Sequence, residues 1–109
     1  MALNIESRSE GNVARISLTG ELDSTTAPTL RDTVDKLLIS KPADLILDVE
    51  KLSFMASAGL RIIIFAKQKL PTLKIYMLKP QPAIVDTLHK TGFYDGVYVV
   101  DAEPAGGNA

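Results

Sequence analysis

The stretch Leu45-Ile46-Leu47-Asp48-Val49 is short and almost uninterrupted in apolar side chains. A run of that kind suits a strand buried on both faces, as in a parallel sheet. Parallel neighbours need a crossover of about a dozen residues between them. The segments on either side of the run therefore have to be the elements that carry the chain back. Upstream, Leu30, Val34, Leu37 and Leu38 recur at i, i+4, i+7 and i+8, which is one helical face. Ser24, Thr25 and Thr26 offer N-caps, Pro28 fits a first helical turn, and Pro42 ends the element.

The downstream segment reads two ways. Ile62-Ile63-Ile64-Phe65 has strand propensity. Three features favour a helix over 57–70: small residues after Ser57, a shared face for Leu60, Ile63 and Ile64, and the stop at Leu70-Pro71. Such a helix is apolar on more than one side, with Ile62, Phe65 and Ala66 away from the first face. Extra burial or a partner surface accounts for that.

Leu3 to Ser7 alternates apolar and polar residues, Ser9-Glu10-Gly11-Asn12 supplies turn chemistry, and Val13, Ile16 and Leu18 lie in a strand running to Gly20. These two strands read as an antiparallel hairpin. Leu73 to Leu78 is a further strand, Pro82 opens a helix with Ile84, Val85 and Leu88, Gly92 stops it, and Val97-Tyr98-Val99-Val100 is a last strand. The order β-β-α-β-α-β-α-β predicts a single α/β domain over residues 1–100, a mainly parallel sheet with an N-terminal antiparallel hairpin. Asp101 to Ala109 has nothing to bury and is expected to be a flexible tail.

Composition removes several function classes. With 109 residues, 46% of them hydrophobic, one core is sustainable without staples, and no Cys is present for disulfides, thiol catalysis or cysteine-rich zinc sites. A net charge of −1 is wrong for a nucleic-acid binder. No apolar run approaches the roughly 20 residues of a membrane helix, so no direct membrane insertion is expected. The start, Met1-Ala2-Leu3-Asn4-Ile5-Glu6, lacks the basic and apolar regions of a signal peptide, and a cytoplasmic protein is expected.

In an open α/β sheet the working edge lies beyond the carboxyl ends of the strands. Gly20 to Ser24, Asp48 to Ser57 and Lys79-Pro80 are placed there by the predicted order. Ser57 sits where a buried strand hands over to a helix, beside unpaired N–H groups and the positive end of the helix dipole. A hydroxyl there either caps the helix or accepts a phosphoryl group whose charge the helix end tolerates. On local chemistry Asp23 is an N-cap or a turn residue, and Asp48 an ordinary strand-end carboxylate in solvent.

Catalytic arrangements fail on inspection. Ala56-Ser57-Ala58-Gly59 lacks the Gly-Lys-Ser/Thr ending of a phosphate-binding loop. It is not Gly-x-Ser-x-Gly either, and the single histidine, His89, sits near a helix end that favours a solvated imidazole. No second His or Cys joins it, so no metal site is expected. Lys79-Pro80 after a strand fits a phospho-aspartate receiver, with Asp48 as acceptor, but Glu6 and Glu10 do not form the acidic pair such a site needs.

Taken together, Leu18-Thr19-Gly20-Glu21-Leu22-Asp23, Leu45 to Val49 and Leu52-Ser53-Phe54-Met55-Ala56-Ser57-Ala58-Gly59-Leu60 resemble a STAS domain of the anti-sigma factor antagonist type. Thr91-Gly92-Phe93 resembles the closing segment of that family, and the likeness runs from Leu3 to Val100. The resemblance implies a regulatory binding module and not an enzyme. It implies Ser57 as phosphoacceptor of a partner that is both serine kinase and anti-sigma factor, with a phosphatase resetting the switch. The domain then needs no cofactor, because ATP belongs to the kinase. The implied partner surface is Asp23, Ser24, Ser57, Ala58, Gly59, Arg61 and Ile62, on the Asp23 loop and the exposed side of helix 57–70. The family's usual Asp-Ser-Ser/Thr-Gly is here Ala56-Ser57-Ala58-Gly59, without the neighbouring carboxylate and second hydroxyl. The alternative is a non-phosphorylated STAS adaptor, such as a stressosome component or a soluble subunit of a membrane transporter.

Overall fold

A computed structural model describes residues 3–102. The chain forms β1 (Leu3–Glu10), β2 (Val13–Leu22), α1 (Ala27–Leu38), β3 (Asp44–Met55), α2 (Ser57–Lys69), β4 (Lys74–Leu78), α3 (Pro82–Lys90) and β5 (Tyr98–Val100). This is the expected order, with one addition, a 3-10 turn at Tyr94–Gly96 before β5. The sheet runs β1-β2-β3-β4-β5, so every strand lies beside its predecessor in the chain. β1 and β2 pair antiparallel as the hairpin predicts, and the remaining pairs are parallel. Of the expected tail from residue 101 onward, Asp101 and Ala102 are exposed and the rest lies outside the described residues.

The alternation of β2 sets the layers. Ala14, Ile16 and Leu18 point to one face and are buried. In register, Ala14 stands beside Leu45 and then Ile75, and Ile16 beside Leu47, Met77 and Val99. The buried residues of all three helices join these side chains in one cluster: Leu30 and Val34 of α1, Leu60 and Ile63 of α2, Ile84 and Leu88 of α3. The helices therefore cover one face of the sheet, the outcome of successive crossovers of one hand. The opposite face carries Arg15, Ile46, Tyr76 and Tyr98 side by side, the two tyrosine rings stacked 5.1 Å apart.

β3 is where the sequence reading falls short. It continues past Val49 to Met55, although β4 pairs with it only as far as Asp48. The continuation pairs with the end of β2 alone, Gly20 beside Leu52 and Leu22 beside Met55. Leu52 and Met55 turn into the core while Glu50, Lys51, Ser53 and Phe54 are exposed, and those polar residues masked the extension. Register shifts at Ser17/Thr19 and Gly20/Glu21 bend β2 alongside it, and Gly20 at φ 113° occupies backbone space that a side chain would disfavour. Asp48 is consequently a mid-strand residue, not a strand-end one, and its carboxylate pairs with Arg15 at 3.6 Å on the helix-free face.

Segment 57–70 is helical, as α2, and its wide apolar surface is accounted for inside the domain. Leu60, Ile62, Ile63 and Ala66 are buried. Phe65 is covered by Arg31 of α1, whose guanidinium carbon is 4.1 Å from the ring centroid. Lys69 lies 5.7 Å from the same ring and pairs with Asp35 at 3.5 Å. The far end of α2 is tied down by Lys67, whose ammonium donates to the carbonyls of Pro71 and Leu73. His89, exposed as expected, stacks on Tyr94 at 4.1 Å between ring centroids.

Candidate functional site

The paired ends of β2 and β3 project beyond the shorter β4 and deliver two chain segments to one edge. The Ala56 N–H donates to the carbonyl of Leu22 at 2.8 Å, so the turn after β3 is fastened to the end of β2. Gly59, in the first turn of α2, lies directly on Leu22: a Cβ there would sit 2.6 Å from Leu22 Cδ2 and closer still to Cγ. The small residue at 59 is what lets the N-terminus of α2 settle against the loop that begins at Asp23.

Ser57 does not cap its helix. Ala56, in extended conformation, holds the N-cap position without a side-chain hydrogen bond, and Ser57 is the first helical residue. The residue is exposed, and among the described residues no hydrogen bond engages its hydroxyl. The first turn of α2 carries no acidic side chain, so an anion at Ser57 meets the helix N-terminus without repulsion from its own turn. The capping explanation is thereby removed, and the side chain is left free for chemistry from outside.

Asp23 has a clear local role. Its Oδ1 accepts from the Thr25 N–H at 2.9 Å, the Thr25 hydroxyl at 2.6 Å, and the Thr26 N–H at 3.2 Å. Its backbone carbonyl accepts from Ala27 at 2.8 Å. Among those donors, the Thr25 hydroxyl does most to hold the Asp23 carboxyl below its ordinary value, with the amides of Thr25 and Thr26 adding to it. Thr26 is the N-cap of α1, yet its hydroxyl donates back to the Glu21 carbonyl at 3.1 Å instead of capping. Asp23 thus shapes the loop that faces Ser57's turn and keeps a negative charge on it.

The remaining expected surface residues divide. Ser24 and Arg61 are exposed and Ala58 is half-buried. Gly59 and Ile62 are buried, Ile62 at 8% exposure, so neither presents a surface on the outer side of α2. Gly59 acts through packing on Leu22, and Ile62 belongs to the core because the helix turns it toward the sheet and α1. Phe54 is outside the expected surface but lies close to it along the chain. It is 48% exposed on the projecting end of β3, three positions before Ser57 and opposite Glu21. The burial pattern here departs from strict alternation, with Ser53 and Phe54 both exposed between buried Leu52 and Met55, so a period of two does not mark Phe54.

Two surface depressions lie elsewhere, on the helix-free sheet face, the larger of about 290 Å³ and lined by Glu6, Arg8, Arg15 and Ser17. Among the described residues no group of three His, Cys, Asp or Glu side chains is placed to hold a metal ion, and no helix is long and apolar enough to cross a membrane.

The sheet order, the projecting β2–β3 edge and the strand-to-helix turn at Ser57 coincide with a match of residues 4–104 to the STAS domain family. This chain is a STAS domain. The anti-sigma-F factor antagonist RsfB of Mycobacterium tuberculosis is 31% identical to it over 58 residues, 53% of this chain and 48% of RsfB. The match therefore spans about half the length of that relative. In three dimensions the STAS domain superposes on the unphosphorylated form of the anti-sigma factor antagonist SpoIIAA with a TM-score of 0.72 at 26% identity, covering 94% of this chain and 90% of that one. An anti-sigma factor antagonist from Mycobacterium paratuberculosis gives a TM-score of 0.78 at 22% identity over 93% of this chain and 87% of its own. SpoIIAA of Bacillus has also been solved in a phosphorylated form, with a TM-score of 0.71 at 22% identity over 98% of this chain and 96% of that one.

Proposed function

We propose that this STAS domain is an anti-sigma factor antagonist that binds a partner serving as both anti-sigma factor and serine kinase, and that phosphorylation of Ser57 switches the binding off. The observation that carries the reading is the state of Ser57 itself: an exposed hydroxyl, relieved of any capping duty, at the first position of a helix whose opening turn holds no acid. The relatives named above support it. The partner surface consists of the Asp23–Ser24 loop, Ser57, Ala58 and Arg61, with Phe54 beside them.

In the proposed step Ser57 Oγ attacks the γ-phosphorus of ATP held by the kinase. The bond to ADP breaks, ADP leaves, and the hydroxyl proton passes to a base of the kinase. The product carries about −1.5 to −2 charges at neutral pH. The helix N-terminus accommodates that charge, so the fold persists while a partner surface fitted to a neutral hydroxyl is repelled. Hydrolysis by a phosphatase restores the hydroxyl. All three proteins act in the cytoplasm on this reading.

The test is incubation with magnesium-ATP and a kinase-type anti-sigma factor, followed by mapping of the phosphate by mass spectrometry. The expected result is one phosphate on Ser57, none on a Ser57→Ala variant, and loss of partner affinity in Ser57→Asp. Binding without modification would instead support the non-phosphorylated adaptor, a reading that the alanines at 56 and 58 favour because they remove the carboxylate and second hydroxyl beside the acceptor.

A further inference from the structure

We infer that Arg61 holds the phosphate in cis once Ser57 is phosphorylated, forming a guanidinium–phosphate pair across the first turn of α2. The inference rests on Ser57 being the acceptor. Ser57 and Arg61 are four positions apart in one continuous helix, so both project from the same face, and both are exposed. Helical side chains lean toward the N-terminus, which tilts Arg61 back over Ser57. The order is also the favourable one, anion at i and cation at i+4.

Three nearby cations of α1 and α2 are occupied. Arg31 lies over Phe65, Lys69 pairs with Asp35, and Lys67 donates to two carbonyls. Arg61 alone among these four makes no hydrogen bond, ion pair or ring contact among the described residues. Nor does any carboxylate share the first turn to compete for it. A neutral hydroxyl at Ser57 gives a guanidinium little to bind. A phosphoryl group offers three acceptor oxygens, in a geometry that Arg satisfies with two parallel hydrogen bonds.

The pairing changes what the switch does. Before modification the surface presents a neutral hydroxyl and a free cation. Afterwards it presents a dianion, and the cation has been drawn onto it. A partner that reads Arg61 loses that contact at the same moment that it meets the new charge. A phosphatase, for its part, has to displace Arg61 to reach the phosphorus.

The experiment installs phosphoserine at position 57 during translation, in the full chain with Arg61, with Arg61→Lys and with Arg61→Gln. The second ionisation of the phosphate is then titrated by phosphorus-31 NMR. The expected midpoint is lower with Arg61 than with Arg61→Gln by about 0.3–0.7 of a pH unit, twofold to fivefold in the ionisation constant, with Arg61→Lys between them. The difference shrinks in high salt. Coincident midpoints for Arg61 and Arg61→Gln would overturn the inference. Thermal midpoints of the unphosphorylated proteins are expected to agree, since the side chain supports nothing in the fold. No kinase enters this measurement, so its outcome is separate from that of the kinase assay: a shifted midpoint with no kinase product would sink the switch and leave the pairing intact.

Discussion

Gly59 and Leu22 are in such close contact that the space of a single methyl group is missing between them. Both belong to the edge that carries Ser57, one on α2 and the other at the end of β2. Replacing Gly59 by Ala gains helix propensity but forces a Cβ into a fully buried leucine. The expected net result is destabilisation by about 1–2 kcal/mol, measured by urea unfolding. Shortening the neighbour as well, in Leu22→Ala with Gly59→Ala, is expected to cost less than the sum of the two single changes by about 1 kcal/mol. Strict additivity would show that the contact does not limit the position.

Asp23 predicts an acid-dependent loosening of its loop. Hydrogen bonds, the one from the Thr25 hydroxyl foremost, depress its folded carboxyl below 3.8. A depressed carboxyl contributes stability above the unfolded value, and that contribution disappears as pH falls through the folded one. Between pH 5 and roughly 2, in the acid range where carboxyls titrate, thermal midpoints of the wild type are expected to fall more steeply than those of Asp23→Asn. Thr25→Val is expected to recover part of the difference between them. Parallel curves for wild type and Asp23→Asn would refute the role given to these hydrogen bonds.

Lys67 is a clamp on the turn between α2 and β4. Replacing it by Met keeps the stem and removes both hydrogen bonds, with an expected loss of about 1–2 kcal/mol. Amide exchange is expected to quicken at Leu70 and Leu73, whose N–H groups donate within this turn at 3.0 and 2.9 Å. Unchanged exchange there, with unchanged stability, would mean the ammonium is dispensable.

Phe54 separates binding from folding. Because the ring is half exposed, Phe54→Ala is expected to alter unfolding stability by no more than about 0.5 kcal/mol. Its affinity for the proposed anti-sigma partner is expected to drop roughly tenfold or more, as for an exposed aromatic that becomes buried at an interface. Calorimetric titration of the partner checks this, and equal affinities would take Phe54 out of the proposed surface.

The legible parts of this fold were those with a clean period. Leu30, Val34 and Leu38 declare α1, and Leu45 to Val49 declares a strand buried on both sides. The end of β3 was hidden because a strand paired on one side only is free to carry Glu50, Lys51 and Ser53, and these read as a loop. Ser57 was placed at the right turn, but of the two local duties left open for it the structure removes capping. Capping depends on the backbone angles at Ala56, which composition does not disclose. The burial of Ile62 and the shielding of Phe65 follow from how α1 lies against α2, and no single segment contains that information.

The strand order has a consequence for how the molecule comes into being. Each strand is laid down next to the one synthesised just before it, and the crossovers are short. Residues 13–69 already contain both strands of the projecting edge, the loop at Asp23 and all of α2. Everything that shapes the neighbourhood of Ser57 is therefore synthesised before β4, α3 and β5. The C-terminal third is a lateral extension of a sheet whose Ser57-bearing edge is already complete in the earlier part of the chain.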